Sequence, residues 1–127
     1  MISRGNRFHG RGGIQRLYKN GKAVRSGALA LRYNPNNRDS YRLSVVVSRK
    51  ISKSAVVRNR IRRRIYENVR ILSSAFSTPH DLLLIVYDEK IAHCEPEKLT
   101  QEIVNLLEKA KLTSAASPNH AIVSAKE

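Results

Sequence analysis

Apolar residues recur at helical spacing in the middle of the chain: Val57, Ile61, Ile65 and Val69 each follow the last by four, with Leu72 close behind. This spacing predicts a helix from Ser52 to Leu72 whose aliphatic side chains span an arc of about 120°, wide enough to dock on a sheet. Ser52 or Ser54 is placed to cap its N-terminus. Earlier in the chain, Ile14, Leu17 and Tyr18 fall at i, i+3, i+4 and Asn20-Gly21 follows as a stop, so residues 13–20 read as a short helix. From Lys22 to Tyr33 the pattern alternates, with Ala28, Ala30 and Arg32 on one side and Leu29, Leu31 and Tyr33 on the other. That segment reads as a strand, with a shorter one around Ala23 to Arg25 ahead of it.

Asn34-Pro35-Asn36-Asn37 breaks the strand, and Tyr41 to Ser48 resumes extended structure with β-branched residues. The two strands are expected to pair as an antiparallel hairpin. After the long helix, Ser73 to His80 is a connection interrupted by Pro79, and Asp81 to Tyr87 is an apolar run suited to an inner strand covered on both faces. Residues 96–111 form a last amphipathic helix, opened by Pro96, with Leu99, Ile103, Leu106, Leu107 and Ala110 on one face. Residues 1–13, rich in Gly and Arg, read as a loosely ordered leader, and the polar, aperiodic stretch 113–127 as a disordered tail. The predicted class is α+β, an α/β sandwich: one domain over residues 1–112, with a mixed sheet of three to four strands covered by helices in the order α-β-β-(β)-α-β-α.

Charge gives this frame a direction. Of 127 residues, 24 are Lys or Arg against 10 Asp or Glu, a formal net charge of +14. Residues 1–70 carry 19 Lys/Arg against 2 Asp/Glu, a balance of +17, while residues 71–127 carry 5 against 8, a balance of −3. The excess is densest in the predicted long helix and the turn before it: Arg49, Lys50, Lys53, Arg58, Arg60, Arg62, Arg63, Arg64 and Arg70, opposed by Glu67. On the helical projection Asn59, Arg60, Arg62, Arg63, Tyr66, Glu67 and Arg70 lie away from the apolar stripe. Arg58 and Arg64 fall at its edges, where their stems pack while the guanidinium groups reach outward. Like charges so crowded call for a polyanion, and guanidinium forks match phosphate and base edges. A membrane suits the pattern poorly, since no apolar run approaches the roughly 18–20 residues of a spanning helix. The N-terminus lacks the apolar region of a signal peptide and Cys94 has no partner for an internal disulfide, so a cytoplasmic location is expected.

Catalytic chemistry has no visible home. His9, His80, His93, His120 and Cys94 lack metal-ligand spacing, and His93-Cys94 has no orienting acid. The basic half holds only Asp39 and Glu67, too few for a two-metal nuclease; Asp81, Asp88 and Glu89 read as surface and turn residues. The residues describe a nucleic-acid binder with no catalytic and no metal-binding side chains.

Ala55-Val56-Val57-Arg58-Asn59-Arg60-Ile61-Arg62-Arg63, following Val47-Ser48-Arg49-Lys50, resembles the Arg-Asn-Arg signature of the protein subunit of bacterial ribonuclease P. The resemblance runs from Asn6-Arg7-Phe8 to Leu112. It implies a fold similar to domain 2 of ribosomal protein S5, with the basic helix in a left-handed crossover between parallel strands. It also implies a ribonucleoprotein endonuclease that removes the 5′ leader of precursor tRNA, with catalysis by Mg²⁺ held mainly by the RNA subunit. In that family the basic motif contacts the catalytic RNA, and a cleft between the first helix and the sheet holds the leader. Carried over by position, Arg58, Asn59, Arg60, Arg62 and Arg63 become RNA-contacting residues, with Arg49, Lys50, Lys53 and Arg70 as companions. Ile14, Tyr18 and Arg32 take the cleft positions.

Two of the cleft positions depart from the aromatic pattern of the family: Ile14 on the helix and Arg32 on the strand. Tyr66, Arg64 and Val69 also stand where Arg, Leu and Phe are usual. The residues alone admit two other functions: a free-standing RNA- or DNA-binding module such as a ribosomal protein, and a protein-only nuclease, which the missing carboxylates disfavour. The Arg-Asn-Arg signature after a strand separates the first reading from these.

Overall fold

In the computed structural model, which describes residues 11–36 and 38–113, the apolar run near residue 83 becomes an inner strand of the sheet. The elements in chain order are α1 (Arg11–Asn20), β1 (Lys22–Ser26), β2 (Leu29–Pro35), β3 (Arg42–Val46), α2 (Ala55–Leu72), β4 (His80–Val86) and α3 (Pro96–Lys109). Short 3₁₀ turns follow α2 at Ser73–Ala75 and β4 at Glu89–Ala92. The sheet order is β1-β2-β4-β3: β4 pairs antiparallel with β2 and parallel with β3.

The expected hairpin between the strands on either side of Asn34-Pro35-Asn36-Asn37 is therefore not formed. The hairpin is β1–β2, turned at Gly27, whose φ of +54° lies in the left-handed region that glycine enters without a Cβ clash. That leaves one edge of β2 open, and β4, apolar on both faces, needs neighbours on both sides. It inserts between β2 and β3, and α2 carries the chain across from β3 to β4. Arg42 and Asp81 pin the parallel register at one end: Nε and Nη2 donate to the two carboxylate oxygens at 2.8 and 2.7 Å. Asn36 donates to the same carboxylate at 2.9 Å. Asp81 is thus half-buried and committed, where the sequence suggested a surface or turn position. Burial opposes its charge, but the bonds from Arg42 and Asn36 outweigh burial and hold its pKa below the ordinary aspartate value.

The alternation read in the sequence holds within the strands. Leu29 and Leu31 of β2, Leu43 and Val45 of β3 and Leu82 and Leu84 of β4 face α2 and α3. There they meet Ile61, Ile65, Val69 and Leu72 from α2 and Leu99, Ile103, Leu106 and Leu107 from α3. Helix α2 begins at Ala55, later than the spacing predicted, because Ser54 is the cap: its Oγ accepts from the Val57 amide at 3.2 Å. Helix α1 begins at Arg11, so Arg11-Gly12-Gly13 forms its first turn where the sequence suggested a loose leader. First-turn amides need no intrahelical acceptor, which makes glycine less costly there. Gly21 joins α1 to β1 where a Cβ would sit 2.5 Å from the Leu17 carbonyl oxygen, a contact no other residue tolerates. At the other end, Thr113 bridges to Phe76 and the Ser77 amide donates to the Leu112 carbonyl at 2.9 Å. Residues 1–10 and 114–127, with His9, His120 and most of the predicted leader and tail, lie outside the described residues.

Candidate nucleic-acid interface

Helix α2 lies with its aliphatic stripe on the core, which turns its opposite side to solvent. Asn59, Arg60, Arg63 and Arg70 are exposed and Arg62 is half-buried. In the turn between β3 and α2, Arg49, Lys50 and Lys53 are also exposed, so these cations continue the helical ridge past its N-terminus. That turn is tied by amides of Ile51 and Ser52 donating to the Ser48 carbonyl at 3.1 and 3.3 Å. Asn59 Oδ1 accepts from Arg62 Nη1 at 2.7 Å, so the Asn of the triplet holds an arginine one turn on. Among the described residues no carboxylate pairs with Arg49, Lys50, Lys53, Arg58, Arg60, Arg62 or Arg63.

Arg58 and Arg64 behave differently from the helical projection, which sent both guanidinium groups outward. Arg58 Nη1 donates to the Ser52 carbonyl at 3.0 Å and braces the turn that carries Lys50 and Lys53. Arg64 donates to the carbonyls of Ile91 and Cys94 at 2.6 and 2.7 Å, clamping the 3₁₀ turn after β4 against α2. Both satisfy carbonyl oxygens that irregular backbone leaves without a ladder partner. Arg70 stands about 18 Å along the helix from Arg58 at 1.5 Å per residue. Its guanidinium forms a short contact with Glu67, whose carboxyl it holds down at about 2. The structure thus gathers Arg49, Lys50, Lys53, Asn59, Arg60, Arg62 and Arg63 at one end of α2 and leaves Arg70 apart, neutralised.

The opposite face of the sheet carries α1. Leu17 packs on Leu83, with Ile14, Val46 and Ile85 half-buried around them. Tyr18 is 47% exposed, and the Arg32 guanidinium sits over its ring at 4.6 Å while donating to its backbone carbonyl at 3.2 Å. Tyr18 and Arg32 thus form an Arg–Tyr stack, with the cation on the strand, and Ile14 lies one turn earlier on α1 against Leu17 and Leu83.

The family model for Ribonuclease P matches residues 2–111. The chain belongs to the ribonuclease P protein family. A ribonuclease P protein component from Caldanaerobacter subterraneus subsp. tengcongensis is 37% identical over 99 residues, covering 78% of this chain and 84% of the relative. One from Chloroflexus aggregans is 33% identical over 111 residues, covering 87% and 82%. Among solved structures, the RNase P protein of Staphylococcus aureus is 26% identical with a TM-score of 0.75, covering 86% of this chain and 98% of that one. That of Thermotoga maritima, at 24% identity and a TM-score of 0.74, agrees in fold.

The remaining candidates are dispersed. His93 Nδ1 lies 3.4 Å from Arg60 Nη1, while Cys94 Sγ turns toward the Ile91 carbonyl at 3.9 Å, so the two point to different partners. Asp88 caps the 3₁₀ turn by accepting from the Lys90 amide at 2.9 Å. Among the described residues no group of three His, Cys, Asp or Glu gathers to hold a metal. A second Arg–Tyr stack, Arg25 over Tyr87 at 4.2 Å, joins β1 to the residue just past the end of β4, a pairing that no local spacing announces.

Proposed function

We propose that this chain is the binding subunit of a ribonucleoprotein endonuclease that matures the 5′ end of tRNA in the cytoplasm. The ridge at the N-terminal end of α2 grips the catalytic RNA, and the α1 cleft holds the 5′ leader of precursor tRNA in extended form. The observation that carries this reading is the ordered cluster of Asn59, Arg60, Arg62 and Arg63 on one helix face, unpaired with any carboxylate among the described residues. Guanidinium groups so placed release counterions when they neutralise phosphates, which supplies affinity without sequence. Asn59 fixes Arg62 before binding, and Arg58 fixes the turn bearing Lys50 and Lys53, so fewer rotamers are lost on association. In the cleft, Tyr18 offers a stacking face and Arg32 a phosphate or a base partner.

The protein's own side chains supply binding and orientation. Among the described residues the carboxylates are dispersed or committed to backbone and arginine partners, as Asp81 and Asp88 are. We assign the ion and the chemistry to an RNA subunit; the relatives are named as protein components of ribonuclease P, which supports the existence of a further component. Reconstitution tests the proposal. Purified protein added to bacterial ribonuclease P RNA should raise cleavage of precursor tRNA at low Mg²⁺, with none by protein alone. Cleavage by the protein without RNA overturns it.

A further inference from the structure

A cavity with a volume of about 640 Å³ lies between the β1–β2 turn, the end of β4 and α3. That is within the range of small-molecule sites, roughly 300–1,000 Å³. Tyr87, 45% exposed, and the Arg25 guanidinium stacked on its ring form one wall. Lys98 stands at the lining with an exposed side chain, Lys90 is exposed with its ammonium 3.8 Å from the Asp88 carboxylate, which lines the cavity too, and Gln101 presents an amide whose Nε2 donates to Asn105 Oδ1 at 3.0 Å. An amide has two donor hydrogens and a carbonyl, so that bond leaves Gln101 further hydrogen-bonding capacity. Glu102 is occupied in closing the cavity, its Oε1 accepting from the Ala28 amide at 3.1 Å.

We propose that this cavity receives one unpaired nucleotide. The base lies on the Tyr87–Arg25 platform, the Gln101 amide meets its edge, and Lys98 meets the phosphate, with Lys90 held beside it by Asp88. An aromatic ring beside a guanidinium plane is the surface on which splayed-out RNA bases stack, and ammonium groups beside it distinguish a nucleotide from a neutral aromatic ligand. The position favours RNA as the source. Arg64 of α2 bonds the carbonyls of Ile91 and Cys94, both in the cavity wall, and Arg60 reaches His93 beside them. A polynucleotide on the α2 ridge therefore passes next to the opening. In naming that RNA as the partner the inference rests on the function proposed above, whereas the nucleotide chemistry of the cavity stands without it.

Cys94 lines the cavity and is the chain's one cysteine, which provides a direct readout. The rate of maleimide alkylation of the full chain is measured alone, then with millimolar nucleoside 5′-monophosphates, a short single-stranded oligoribonucleotide, duplex RNA, or ribonuclease P RNA. Protection by the oligoribonucleotide and ribonuclease P RNA is expected, and none by the duplex, whose bases are not available to stack. Protection by the monophosphates as well identifies free nucleotides as an additional source. The Tyr87→Leu variant, altered at an exposed position, should need at least about fivefold more oligoribonucleotide for equal protection, the lower end of what stacking on an aromatic supplies. Lys98→Gln should weaken protection by the monophosphates and the oligoribonucleotide together. Absence of protection, equal protection by duplex, or unchanged protection in Tyr87→Leu overturns the proposal. Since the assay involves no cleavage, such a failure alongside intact reconstituted cleavage removes this site alone.

Discussion

On the α2/α3 side of the sheet, Leu29, Leu31, Leu43, Ile61, Ile65, Leu82, Leu99 and Leu106 are all fully buried. On the α1 side, Leu83 is the large apolar side chain that reaches that state among the described residues, with Leu17 buried but not fully and Ile14, Val46 and Ile85 left half-buried. The first face is packed for stability and spends its strand alternation on aliphatic contact. The second stays thin, so that Tyr18 and Arg32 remain reachable. The same division runs through the arginines of α2. Arg64 turns back to satisfy backbone, whereas Arg60 and Arg63 stay exposed, and residue type alone does not tell them apart.

The comparison breaks most readily at the core. Ile65→Ala should cost about 2–5 kcal/mol, as expected for an aliphatic side chain removed from a close-packed interior. Leu17→Ala, beside half-buried neighbours that can close in, should fall at or below the low end of that range. Urea unfolding of the two variants checks this, and equal losses would show the α1 face to be as tightly packed as the other.

A smaller loss is expected from Arg64→Ala, which removes two hydrogen bonds from a charged donor to the Ile91 and Cys94 carbonyls. Hydrogen bonds to charged groups contribute about 1.5–3 kcal/mol, and the variant should lose stability in that range by the same urea measurement. A change within about 0.5 kcal/mol would place Arg64 with the exposed arginines.

Below it comes the register clamp. Arg42→Ala should cost about 1–2 kcal/mol at neutral pH, because the Asp81 carboxylate is left half-buried without its bidentate partner. The folded-state pKa of Asp81 is depressed. Its contribution is therefore fully present above the unfolded value of about 3.9 and is lost as pH falls through the lower folded value. The stability gap between wild type and Arg42→Ala should be constant above about pH 5 and shrink below about pH 4 in urea titrations at fixed salt. A gap that stays flat into acid would remove the ion pair as its cause.

How much of this was legible in advance follows from the range of each interaction. The extent of α2, its serine cap, the doubly apolar β4 and the core face of α3 are set by neighbours within a few residues, and the spacing of Val57, Ile61, Ile65 and Val69 is enough to read them. The pairing of β3 is not, because its partner arrives some 40 residues later and only a search for the second edge of β4 points to it. The Arg-Asn-Arg triplet was legible as a motif, but an angular projection does not reveal that Arg64 and Arg58 have carbonyl oxygens within reach. Arg25 and Tyr87 were missed because they stand 62 positions apart in sequence and meet only when β1, β2 and β4 pair.

The smallest effect on stability, and the one that best isolates function, belongs to the exposed end of the ridge. Arg60→Ala should change unfolding free energy by no more than about 0.5 kcal/mol, since its guanidinium contacts only the exposed His93 among the described residues. In binding to ribonuclease P RNA, the same change should lower the slope of log K against log salt by about one, as should Arg62→Ala. Asn59→Ala sharpens the test, because the Asn59 amide acts on Arg62 through a 2.7 Å bond. If that bond positions the guanidinium for phosphate, Asn59→Ala weakens binding in the wild-type background and does nothing further once Arg62 is alanine. Additive losses in the double variant would mean that Asn59 meets the RNA itself, and an unchanged salt slope in both arginine variants would move the RNA to another face of the protein.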